Sequence, residues 1–159
     1  MKKGILLVLV LILFATVTGC EKEEDPVASD LREYIQSMES VFLLDDSANA
    51  SFDSVIGENY TNPEITYDVI VNDTLPKVNN VRKASSNINF STPTVRDLHR
   101  KYEQYLNDNY LAILTFSDGI INSDTDKLNA AIEGSLKAFQ KRQEYYDSLD
   151  DLVHEYFQD

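Results

Sequence analysis

The chain of 159 residues has no tryptophan, one cysteine and two histidines. A single cysteine cannot close an internal disulfide, so stability must come from packing. Glycine is scarce at five residues and proline at four. No glycine-rich loop exists to cradle phosphates, and no Gly-x-Ser-x-Gly elbow or His-Glu-x-x-His pair is present. These absences leave no recognisable catalytic constellation, and a non-enzymatic role is expected. Basic side chains are also few, 14 against 27 acidic ones, for a net charge of −13. Nucleic acid phosphates would be repelled, which excludes that partner. The same charge pushes the protein off anionic lipid headgroups within a Debye length of ~8–10 Å. A basic protein or peptide is the partner that it favours. Finally, no apolar run reaches the ~20 residues needed to cross a bilayer core of ~30 Å.

What is present is ordered from the first residue. Met1-Lys2-Lys3 is a short positive start. Gly4 to Ala15 follow without a charge or a polar side chain, and then Thr16 to Gly19 are mostly small. Basic, apolar, then small is the layout of a secretory signal. Val17-Thr18-Gly19-Cys20 closes it. This stretch resembles the lipobox of bacterial lipoproteins. The resemblance implies cleavage between Gly19 and Cys20, with a diacylglyceryl group on the Cys20 thiol. Two acyl chains would hold the protein firmly, where one is marginal. The chain is similar in general character to small uncharacterised helical lipoproteins of Gram-positive bacteria. That similarity implies anchoring on the extracytoplasmic face of the cell membrane, and it transfers no functional residue except Cys20.

The expected division is a signal over residues 1–19, an acidic tether over 20–28 and a folded domain over 29–159. The tether residues Glu21 to Ala28 reach at most ~30 Å when extended. In the domain, apolar residues recur at three- and four-residue steps, which predicts an all-α fold. A first helix is expected from Ser29 or Asp30 to a stop at Gly57. A second opens at Asn62-Pro63 and a third at Thr92-Pro93, each a capping residue followed by proline. A fourth opens at Ser123-Asp124-Thr125-Asp126, a variant capping box. Its inner stripe is expected to include Leu128, Ile132, Leu136 and Phe139. Short connections between long amphipathic helices favour an up-and-down antiparallel four-helix bundle.

Three sites are considered. His99 and His154 fall ~12 Å apart along neighbouring helices, too far to share one ion, so no metal or cofactor is expected. They read as surface or core-edge histidines. Tyr102 and Tyr105 should meet Tyr146 and Phe139, filling a core while their hydroxyls reach water. Pro76 lies inside the second helix and should kink or break it, by removing one hydrogen bond and crowding the Asn72 carbonyl. Such a kink could open a cleft with Asp45, Asp73 and Tyr105 at its rim. The leading expectation is a membrane-anchored interaction or accessory module, and the alternative is a small-ligand-binding bundle with its pocket near Pro76.

Overall fold

Every proline in the chain opens a helix. Pro26 begins α1 (Pro26–Asp53), Pro63 begins α2 (Pro63–Val69), Pro76 lies in the first turn of α3 (Leu75–Ser85), and Pro93 begins α4 (Pro93–Asn122). At Pro26, Pro63 and Pro93 the missing N–H removes no intrahelical bond, and the fixed φ suits the helix. The last helix, α5, spans Thr125–Phe157. The computed structural model describes residues 25–157, all helix and short turns with no strand among them. The expected signal, Gly19, Cys20 and most of the expected tether lie outside the described residues. None of the described helices is long and apolar enough to cross a membrane.

Local side chains set the helix starts. Asp25 accepts the Val27 N–H at 2.7 Å, Asn62 the Ile65 N–H at 2.9 Å, and Thr92 the Val95 N–H at 3.4 Å. α1 therefore starts three residues before Ser29. Residues 26–28, assigned by sequence to the tether, are its first turn, because Asp25 followed by proline is the stronger start signal. The helix also stops earlier than expected, at Asp53. Gly57, with φ +59°, opens a separate short turn over Gly57–Asn59.

Pro76 neither breaks nor sharply ends the second rod. A π-helical turn over Ile70–Thr74 joins α2 to α3. Leu75 N–H donates to the Ile70 carbonyl, five residues back. The wider turn comes immediately before the proline, where the Asn72 carbonyl would otherwise meet the ring. It also turns Ile70 and Thr74 inward, where both are fully buried.

The α4–α5 corner departs from the expected capping box as well. Ser123 has φ 52° and ends α4. Asp124 N–H donates to the Gly119 carbonyl at 2.9 Å, and Ser123 N–H to the Ile120 carbonyl at 3.3 Å. This is a Schellman-type closure. Asp124 then caps α5 by accepting the Lys127 N–H at 3.0 Å. Serine in the left-handed region is strained where glycine is not. Ser123→Gly is expected to raise stability by about 0.5–1 kcal/mol, after allowing for glycine's freer unfolded chain. A higher thermal midpoint checks this, and Ser123→Val should lower it. A Cβ on Gly119 would stand 3.0 Å from the Leu128 backbone nitrogen, so any larger residue there requires the start of α5 to give by a few tenths of an ångström.

The core gathers Leu31, Tyr34, Met38 and Val41 of α1, Val78 and Val81 of α3, Tyr102 and Ile113 of α4, and Tyr145 and Leu149 of α5. One expected stripe is wrong. Ile132, Leu136 and Phe139 are 55%, 60% and 58% exposed. α5 instead meets α4 through small residues. Ala131 and Ala138 are buried, and a Cβ on Gly134 would lie 3.2 Å from the Ala112 Cβ. Small side chains let the two helices approach closely, and that approach turns the larger apolar face outward.

Candidate functional site

A polar seam runs through the interior of the helices from Asp45 to His99. Asp45 of α1 is 1% exposed. Its carboxylate accepts from the Tyr105 hydroxyl at 2.9 and 3.1 Å and from Asn49 Nδ2 at 3.3 Å. Arg142 Nη2 of α5 stands 3.4 Å away. The Arg142 guanidinium also lies over the Tyr105 and Tyr146 rings, at 5.4 and 5.7 Å. Burial raises the Asp45 pKa, and the opposing pull of Arg142 and Tyr105 does not cancel it. Burial works against the Arg142 charge too, but the fields of Tyr105, Asp45 and Tyr146 outweigh it and raise that pKa. Both partners are thus raised, where a simple ion pair would lower the acid. The asymmetry is physical: the Arg142 side chain keeps 23% of its surface and Asp45 only 2%.

The seam continues through tyrosines. Tyr102 packs against Tyr145 at 5.0 Å and Tyr105 at 5.6 Å. The Tyr34 hydroxyl donates to that of Tyr145 at 3.2 Å, and His99 Nδ1 lies 3.3 Å from Tyr34 Oη. His99 Nε2 is 3.5 Å from Ser85 Oγ. Tyr34 and Ser85 thus stand within reach of the two ring nitrogens, one on each side. Burial pushes the phenols of Tyr34, Tyr102, Tyr105 and Tyr145 up, so all are neutral at physiological pH. Among the described residues, Tyr102 Oη and Arg142 Nε are buried polar atoms without a hydrogen-bond partner.

The sequence-derived site residues fare differently. Asp45 and Tyr105 meet, but inside the core rather than at a rim. Asp73 belongs to another cluster, accepting from Ser51 Oγ and Lys77 Nζ at 2.6 Å each. Ser51 also bonds Thr74 Oγ1 at 2.8 Å, so the π turn places Asp73 and Thr74 against α1. Pro76 is exposed. The expected cleft is therefore not one site: Ser51 lies six residues, ~9 Å of helix, beyond Asp45. The tyrosine expectation is half corrected. Tyr102 and Tyr105 do fill the core, yet on α5 Tyr102 meets the fully buried Tyr145 and Tyr105 meets Arg142, while Phe139 is exposed. His154 is exposed, whereas His99 is 3% exposed in the core. A neutral imidazole can be buried there because Tyr34 and Ser85 satisfy both nitrogens. No group of His, Cys, Asp and Glu among the described residues gathers to hold a metal ion.

Arg142, Tyr34 and Asp30 were not legible as seam or clamp residues. Arg142 has one sequence signal, its position three before Tyr145 and four after Ala138 on the buried face of α5. Chemically the seam joins the helices to each other. Its hydroxyls are neutral, and its one carboxylate is committed to Tyr105, Asn49 and Arg142.

His99 makes the seam pH-sensitive. Burial lowers its pKa from the ordinary 6.5, against the pull of the Glu103 carboxylate at 3.8 Å. The unfolded chain then binds the proton more readily than the folded one. Stability is full above about 6.5 and falls as pH drops below it. Urea midpoints at pH 7.5 and 5.5 should show this loss, and His99→Gln should reduce the difference between them.

No protein family, curated protein or solved structure matches the chain.

Proposed function

We propose that this protein is a membrane-anchored extracytoplasmic lipoprotein, a non-enzymatic interaction or accessory module at the bacterial cell envelope. The observation that carries the reading is the junction at Cys20. A lipobox-like Val17-Thr18-Gly19-Cys20 is followed within five residues by Asp25, the cap of α1. Anchor and domain are thus joined by a tether that reaches only ~18 Å, shorter than the sequence alone implied. The acidic domain sits just above the bilayer, held by lipid and kept off it by charge. Its interior polar groups face one another, which suits a scaffold that presents surfaces rather than a pocket.

The scaffold is an up-and-down antiparallel four-helix bundle, with α2, the π turn and α3 as its second rod. Contacts between successive helices support this, since rising numbers pair with falling ones. Ser51 meets Thr74 and Val55 meets Thr66. Arg82 meets Asn107 and Ser85 meets His99. Asp108 meets Lys137 and Lys101 meets Ser148.

Cys20→Ala tests the anchor. The variant is expected to accumulate as an uncleaved precursor that takes up no radiolabelled fatty acid. Labelling equal to that of the natural chain would refute the reading.

A further inference from the structure

The large apolar residues that α5 leaves outside are not scattered. Ile132, Leu136 and Phe139 recur at helical spacing along two turns, each more than half exposed. Ile132 and Leu136 form one bank of an open groove of about 590 Å³. Phe52, Ile56 and Tyr60 form the other, with Phe116 stacked edge-on against Phe52 at 5.6 Å. A volume of this size is ordinary for a binding site.

Two occupants are disfavoured by geometry and charge. The anchor segment is too short: Phe52 lies 26 residues beyond Pro26, ~39 Å along α1, and the tether reaches ~18 Å. The groove is therefore at the far end of α1 from the anchor. A second copy would bring a like charge, −13 on each chain. The rim is itself acidic. Asp53, Glu58 and Glu133 are exposed, and each follows a lining residue in sequence. None has an ion-pair partner among the described residues. The nearby cations are already engaged, Lys127 with Asp118 at 2.5 Å and Lys137 with Asp108 at 3.2 Å.

We propose that this groove docks an amphipathic helix of a partner protein, apolar on one face and flanked by Lys or Arg. Apolar anchors at i, i+4 and i+7 on the incoming helix would lie along the two exposed turns of α5. The acidic rim would steer the basic flanks and set orientation. This deepens the interaction-module reading and rests on it.

The test uses the full-length chain in nanodiscs of zwitterionic lipid, with empty nanodiscs as reference. The probe is a 14-residue Leu/Lys peptide with leucines at helical spacing. Anisotropy is expected to show it binding roughly tenfold tighter than a peptide of the same composition with its apolar face scrambled. Leu136→Asp with Phe139→Asp should weaken binding roughly tenfold. The thermal midpoint should hold, because both positions are exposed. Equal binding of the two peptides, or an unaffected variant, would overturn the proposal by reducing the attraction to diffuse charge. A wild-type dimer that the variant converts to monomer would also overturn it, assigning the groove to a second copy. Photo-crosslinkers at Leu136 and at Asp151, used in cells, separate the two levels. Capture of a basic helix at Leu136 supports both. Capture at Asp151 alone overturns the groove and leaves the module reading standing. Capture at neither overturns the module reading and, with it, the groove's partner.

Discussion

Asp45→Ala is expected to destabilise the protein by about 3–5 kcal/mol, the range for breaking a buried charge pair. A domain of this size has a total stability of roughly 5–15 kcal/mol, so the variant would stand near unfolding. The cost does not arise from a strong attraction lost. Burial already raises the Asp45 pKa, which means that desolvation outweighs the pull of Arg142 and Tyr105. The pair as a whole therefore adds little. What is costly is the remainder: a mostly buried Arg142 guanidinium left with only the exposed Asp46 at 3.8 Å, and a buried Tyr105 hydroxyl without its acceptor. Exposed pairs such as Arg100–Asp97 have no such remainder and contribute about 0–1 kcal/mol. The same reasoning predicts that Asp45→Leu combined with Arg142→Met recovers most of the loss, since both charges go together. Urea unfolding followed by far-UV circular dichroism measures all three proteins. A loss below about 1 kcal/mol for Asp45→Ala would contradict the desolvation argument.

Asp30→Ala should have the second largest effect, about 2–4 kcal/mol. Asp30 is 6% exposed and lies on α1, far in sequence from its partners. One carboxylate oxygen accepts the Ser91 N–H at 2.8 Å. The other accepts the Thr92 N–H at 2.7 Å and the Thr92 hydroxyl at 2.6 Å. It thereby holds the start of α4 to α1 and leaves Thr92 placed to cap its own helix. Alanine would strand these donors at a partly buried turn. Asp30→Asn can supply only one acceptor oxygen and should recover part of the loss. The acid limb of the stability profile follows from the same contacts. Burial works to raise the Asp30 pKa, but the hydrogen bonds from Thr92 and Ser91 outweigh it and lower it. The folded value thus lies below the unfolded one. The contribution is present above ~3.9 and is lost as pH falls through the folded value. Asp30→Ala should flatten this part of the profile, while the His99-dependent loss below about 6.5 remains. An unchanged acid limb would sink the assignment.

Sequence and structure agree where the cause is local. The caps at Asn62 and Thr92, and the prolines after them, use atoms within three residues of one another. The same local logic applies at the start of α1, where Asp25 and Pro26, rather than the expected Ser29 or Asp30, open the helix. It located the disturbance near Pro76 and left open whether the helix would break. The π turn answers that question because it inserts its wider turn just ahead of the proline.

Sequence by itself determined that the chain is helical, where most of its helices start and that the surface is acidic. It also supplied the lipobox-like Cys20 on which the anchoring proposal rests. Each of these depends on neighbours in the chain or on a sum over it. Only the tertiary structure decided which apolar stripe of α5 is inside. Ile132, Leu136 and Phe139 have the correct period and lie outside, while Ala131 and Ala138 are buried and Gly134 lies against Ala112 of α4. Periodicity identifies a face but not its partner, and close approach of two helices favours small residues over large ones. Sequence counting brought Asp45 and Tyr105 together, but at a rim; that Arg142, Tyr34 and His99 join them in a buried seam was not legible, for the same reason. The contacts that build the seam, Asp45–Tyr105, Tyr34–His99, Asp45–Arg142 and Tyr34–Tyr145, span 60 to 111 residues of sequence, and only packing makes them neighbours.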